Sequence, residues 1–240
     1  MSSPLKAVLF DMDGVLFDSM PHHVKAWRQT MELHGISIPV TEVYMNEGRT
    51  GSSTIDLTFR REKGRPATEQ EKEAIYRQKT HFFNACPEAR PLPGAAELLN
   101  LVKRSNLKPI LVTGSGQHAL LSRLEKFFPG IFTPELMVTA FDVTHGKPHP
   151  EPYLMALQKG GIAPHEAVVV ENAPLGVESA HRAGIFTVAV NTGPLPDSVL
   201  QEAGADLLYP SMFHLYQGWD AFIASLPTLR NAHPHQPSRL

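Results

Sequence analysis

The chain has 240 residues, 42% of them hydrophobic, and a formal net charge of -2 at pH 7. That is enough for one large α/β domain, or for one domain with a smaller one inserted. The near-neutral balance and the lack of a basic stripe exclude a broad polyanion footprint and argue against nucleic acid as a partner, while one cysteine, Cys86, excludes an intrachain disulfide and suits the cytoplasm. In chain order, residues 7–10 read as a buried strand that ends at Asp11, too short and too acidic for a signal segment. No later stretch reaches the length needed to cross a membrane, so no membrane partner is expected. From about Phe17 to Arg90 the pattern is helical. Val24, Trp27 and Met31 recur at helical spacing, and Thr68-Glu69-Gln70-Glu71 is a capping box opening a charged helix to about Asn84.

Pro87, Pro91 and Pro93 mark the return to alternating strands and helices. Residues 109–113, 136–139, 167–170 and 185–190 read as apolar strands, with 206–209 a weaker last one. Helices open at Pro93-Gly94 and at Pro150. The resulting expectation is an α/β parallel sheet core formed by residues 1–16 and 91–225, with a helical cap at 17–90. Residues 226–240, rich in proline and histidine, read as a flexible tail with solvated histidines. A monomer is the expected state.

In open α/β sheets, ligands bind at the carboxyl ends of strands. Those ends carry Asp11-Met12-Asp13-Gly14, Thr113-Gly114-Ser115, Lys147 and Glu171-Asn172. A carboxylate can attack phosphorus, and hydroxyl and ammonium groups can hold its nonbridging oxygens. Oxygen ligands suit Mg²⁺, and Gly14 permits close backbone approach. Each piece alone is also an ordinary turn, cap or surface residue; four together, in order, point to phosphoryl transfer.

This set resembles the haloacid dehalogenase superfamily, matching its four motifs at residues 11–14, at Thr113, at Gly146-Lys147-Pro148 and at residues 170–172. Residues 146–153 and 171–180 are close to the β-phosphoglucomutase-like subgroup. The resemblance covers nearly the whole chain and implies a Rossmann-like core with a helical cap. It makes Asp11 the nucleophile and Asp13 the general acid/base, with Thr113, Ser115 and Lys147 on the transferring group. Mg²⁺ would sit on Asp11, the Asp13 carbonyl, Glu171 and Asn172.

The family usually has a second acid where this chain has Asn172. The cap loop Met45-Asn46-Glu47-Gly48-Arg49-Thr50-Gly51 offers a replacement, because Glu47 could complete the Mg²⁺ shell on cap closure. His23, Arg49 and Lys79 are candidate partners for a second phosphoryl group. The Glu47 and Asn172 pair resembles a pyrophosphatase type within the subgroup, so inorganic pyrophosphate is the first substrate expected. A sugar-phosphate phosphatase or hexose-phosphate mutase is the alternative, and a non-catalytic binding protein the second. A zinc site at His145 and His149 is set aside, because Gly146 and Pro148 intervene and no further ligand is evident.

Overall fold

Every residue of Ala7–Phe10 (β1) is buried, as a strand covered by helices on both faces requires. It pairs in parallel with Lys108–Val112 (β2) on one side and Ala167–Glu171 (β4) on the other. Met137–Val138 (β3), Phe186–Val190 (β5) and Leu207–Tyr209 (β6) extend the sheet to the order β3-β2-β1-β4-β5-β6. The chain is described by a computed structural model over residues 5–115 and 120–232, with backbone alone at 120 and 121.

Side chains alternate across the sheet. Val8, Phe10, Leu111, Val168 and Val170 pack on one face against Ala95–Arg104 (α5) and Met212–Ala232 (α10). Ala7, Leu9, Ile110, Val112 and Val169 pack on the other against Glu151–Gly160 (α7) and Pro174–Arg182 (α8). Leu120–Phe127 (α6) and Asp197–Glu202 (α9) complete the layers. Truncating a buried phenylalanine such as Phe10 to alanine would cost about 3–5 kcal/mol.

Between β1 and α5 the chain makes four helices: Met20–Leu33 (α1), Val40–Met45 (α2), Gly51–Lys63 (α3) and Glu69–Asn84 (α4). They bury their own core of Trp27, Met31, Ile55, Phe59 and Ile75. The α4 capping box forms as its sequence predicts, Thr68 accepting from the Glu71 amide and Glu71 from the Thr68 amide. Phe17 bridges Pro91, so the two crossings between helical unit and sheet lie side by side.

Three expectations change. The strand expected at 136–139 shrinks to two residues, because Leu136 closes a 3-10 turn and only Met137 and Val138 pair with β2. Lys147 therefore stands on the loop between β3 and α7, not at a strand end. The tail does not begin at Leu226: α10 continues to Ala232 with Leu226 buried and Pro227 inside it. The tail histidines lie outside the described residues. No helix among the described residues is long and apolar enough to cross a membrane.

Candidate active site

The centre of the sheet delivers the first carboxylate. Asp11 follows β1, its amide donating to the Val170 carbonyl at 3.1 Å. Lys147 reaches it from the far loop: its Nζ lies 2.5 Å from Asp11 Oδ1 and 2.6 Å from Glu171 Oε1, and donates to the Val112 carbonyl at 3.2 Å. All three side chains are buried. One ammonium thus serves two carboxylates. Burial pushes the Asp11 carboxyl up to about 8; Lys147 opposes the rise and Glu171 adds to it. Burial alone would lower Lys147, but Asp11 and Glu171 hold it above the usual lysine range.

Asp13 has a different shell. Ser19 Oγ donates to its Oδ1 at 2.5 Å, and His23 Nε2 lies 3.3 Å from the same oxygen. His23 Nδ1 is 2.9 Å from Lys79 Nζ, which is buried among the Trp27, Tyr76 and Phe83 rings. Burial would raise the Asp13 pKa, but His23, Ser19 and Arg123 outweigh it and keep the group ionised well below the usual carboxylate range. Burial lowers both His23 and Lys79, the latter to about 8, while Asp13 pulls each back up.

The cap loop closes over these groups. Asn172 Nδ2 donates toward both Glu47 oxygens at 3.2 and 3.1 Å. Gly48, at φ 85°, leaves room that a Cβ would fill at 2.9 Å from Lys147 Cδ. Gly14, also at φ 85°, allows the Asn172 amide to lie where its own Cβ would stand, 2.1 Å from Nδ2. Burial first, then Asp11 and Glu171, raise the Glu47 carboxyl well above its ordinary range. A cavity of about 80 Å³ results. It brings together Asp11, Asp13, His23, Glu47, Arg49, Lys79, Thr113 and Ser115. Arg49 is held by Asn46 Oδ1 at 3.1 Å and Ser53 Oγ at 3.4 Å, and the Thr113 hydroxyl accepts from the Ser115 amide at 3.1 Å.

These donors fit a hard divalent cation. Asn172 Oδ1 is buried with no partner among the described residues, beside the Asp11 and Glu47 carboxyl groups, whose pKa values burial and then mutual repulsion raise. Asp11, Glu47, Asn172 and the Asp13 carbonyl are the groups that would hold Mg²⁺. Glu171 already has partners. Its Oε1 takes Lys147 and the Tyr153 hydroxyl (2.9 Å), and its Oε2 takes the Asn172 and Ala173 amides. The expected metal role of Glu171 competes with these contacts, because its oxygens already hold Lys147, Tyr153 and the turn.

Motif spacing misses four participants. Ser19 and Arg123 bear on Asp13, while Tyr153 and Gly176 bear on Glu171. A Cβ at Gly176 would lie 1.8 Å from Glu171 Oε1. Tyr153 stands inside the Lys147 motif, but nothing local marks its hydroxyl as a partner of Glu171.

A family model for haloacid dehalogenase-like hydrolases matches residues 5–184. Hexitol phosphatase A of Escherichia coli is 33% identical over 187 residues, 78% of this chain and 83% of that protein. The phosphorylated carbohydrates phosphatase of Thermotoga maritima is 32% identical over 84% of this chain and 92% of its own. A solved structure from Bacteroides vulgatus, provisionally described as a beta-phosphoglucomutase, is 57% identical with a TM-score of 0.91. That match covers 94% of this chain and 91% of the other. None of these three is described as a pyrophosphatase.

Proposed function

The chain belongs to the haloacid dehalogenase-like hydrolases, in their β-phosphoglucomutase-like subgroup, and we propose that it is a Mg²⁺-dependent phosphohydrolase acting through Asp11. The observation that carries this reading is Lys147 bridging Asp11 and Glu171 beneath a cavity lined by Asp11 and Asp13. Asp11 attacks phosphorus, the bond to the leaving oxygen breaks, and Asp13, protonated where the leaving group is a sugar oxygen, gives that oxygen its proton. Asp13 then draws a proton from water, which attacks the aspartyl phosphate and regenerates Asp11. Lys147 and the Thr113 hydroxyl hold the nonbridging oxygens, since a loose transition state leaves mainly positioning and charge for the protein to supply. Mg²⁺, when bound, would offset the charge of Asp11, Glu47 and the phosphoryl group.

Phosphorylated sugars are the better-supported substrates, because the relatives are named for them. This puts the alternative of the sequence analysis, a sugar-phosphate phosphatase or mutase, ahead of pyrophosphate. Pyrophosphate stands as the second reading on one specific observation, the insertion of Glu47 against Asn172 over a small cavity. The ionised state of Asp13 supports it too, since departing phosphate needs less protonation than a sugar alkoxide. The one cysteine, free and half-buried, fits a cytoplasmic setting.

The test is phosphate release with Mg²⁺ from hexose phosphates, hexitol phosphates, nucleotides and pyrophosphate. The highest kcat/KM on a sugar phosphate supports the first reading, and the highest on pyrophosphate the second. Glucose 6-phosphate formed from glucose 1-phosphate would reveal a mutase. No turnover of any substrate would overturn the enzymatic proposal.

A further inference from the structure

The loop that carries Lys147 presents a second cluster of ligating groups outside the cavity. Sequence spacing argued against a metal at His145 and His149 because it offered no third ligand. The fold supplies one: Glu151, at the first turn of α7, turns back over the loop. Its Oε2 lies 2.8 Å from His145 Nδ1 and 3.9 Å from His149 Nδ1, and one ligand atom from each of the three residues lies within 4.8 Å of the other two. The two imidazole rings face each other at 4.6 Å between centroids, 33° from parallel.

We propose that His145, His149 and Glu151 form a binding site for a borderline divalent cation of the zinc type. Bonds of about 2.0–2.1 Å to a tetrahedral ion place neighbouring donors about 3.3–3.4 Å apart. The two measured carboxylate–imidazole separations bracket that value, so small side-chain rotations close the site. Two imidazoles with a carboxylate suit Zn²⁺, Ni²⁺ or Cu²⁺ better than Mg²⁺. Solvent completes the shell, because His145 and His149 are partly exposed.

The loop is already held for this. The His149 carbonyl accepts from Ser179 Oγ at 2.6 Å, and the Glu151 carboxylate accepts from the Thr144 and His145 amides at 2.7 and 2.9 Å. Binding exchanges two contacts for coordination. The His145 Nδ1 proton moves to Nε2, and the Glu151 amide gives up its 3.1 Å bond to His149 Nδ1. None of the three residues lines the catalytic cavity. Lys147 and Gly146 lie between the histidines, and Gly146 packs against Thr50 of the cap. A cation here would therefore brace the loop at the point where it meets both Asp11 and the cap.

The experiment titrates Zn²⁺ by calorimetry into the full chain under saturating Mg²⁺, which occupies the catalytic oxygens. It then records the visible spectrum with Co²⁺ in place of Zn²⁺. One equivalent is expected to disappear in His145→Ala and in His149→Ala, together with the Co²⁺ d–d bands. Glu151→Gln, which keeps an acceptor for the Thr144 amide, is the second variant should a histidine change disturb folding, and it too should lose the equivalent. His233→Ala/His235→Ala should retain it. Unchanged stoichiometry and spectrum in all three site variants, or loss only on changing the tail histidines, would overturn the proposal.

Discussion

The side-chain amide of Asn172 faces the carboxylate of Glu47 at 3.2 and 3.1 Å, joining core to cap across 125 positions of sequence. Asn172 occupies the place of a second acid, and Glu47 brings a carboxylate to the same spot from the other domain. On the proposed reading, a metal held between them requires the cap to be closed.

Replacing Glu47 with alanine should raise the Mg²⁺ concentration for half-maximal turnover by about 10–100-fold, the usual effect of disturbing a metal's surroundings. Initial rates over a Mg²⁺ series measure it. An unchanged curve would remove Glu47 from the site.

Tyr153→Phe deletes one donor to Glu171 Oε1 and nothing else of size. A hydrogen bond to a charged group contributes about 1.5–3 kcal/mol, so urea denaturation should show a loss in that range. Turnover should fall through kcat rather than KM, since Glu171 acts by holding Lys147. A rise in KM alone would contradict that role.

Gly176→Ala tests the same carboxylate from behind. The new methyl would stand 1.8 Å from Glu171 Oε1 and must expel it. Overpacking of this kind costs about 1–3 kcal/mol. Activity should drop far more than stability accounts for, because Lys147 loses one of its two anions. Wild-type turnover in this variant would show that Glu171 is not needed to position Lys147.

Lys79 offers a pH test. It is buried and its pKa is lowered to about 8, against about 10.4 for an unfolded lysine. Between those values the unfolded chain binds more protons, so stability rises with pH across that window. Below pH 8 the penalty is complete, about 3 kcal/mol. Lys79→Met should therefore melt higher than wild type at pH 7, with the gap closing toward pH 10, while turnover falls because the His23 contact is lost. A variant less stable than wild type at pH 7 would contradict the assignment.

Residues 7–10 read as a strand in the sequence and are one, since four apolar residues ending in an acid have few other outcomes. The α4 helix is legible for the same local reason, from its Thr68–Glu71 box. The edge strand β3 is shorter than its apolar content suggests, because pairing at an edge depends on what β2 offers. The tail was underread, because α10 is held by Leu226 packing against the sheet, a contact that proline and histidine content conceals.

The sequence by itself determined the α/β class, the helical run between the first two strands and the order of the candidate site residues. These follow from hydrophobic period and from residue types at strand ends, which are short-range properties. Only the tertiary structure decided that Glu171 braces Lys147, that Glu47 meets Asn172, and that Glu151 turns back to His145. Each of these rests on where an acid's lone pairs point after the chain has packed. A carboxylate's partner is set by position in space, and neither composition nor spacing carries that information.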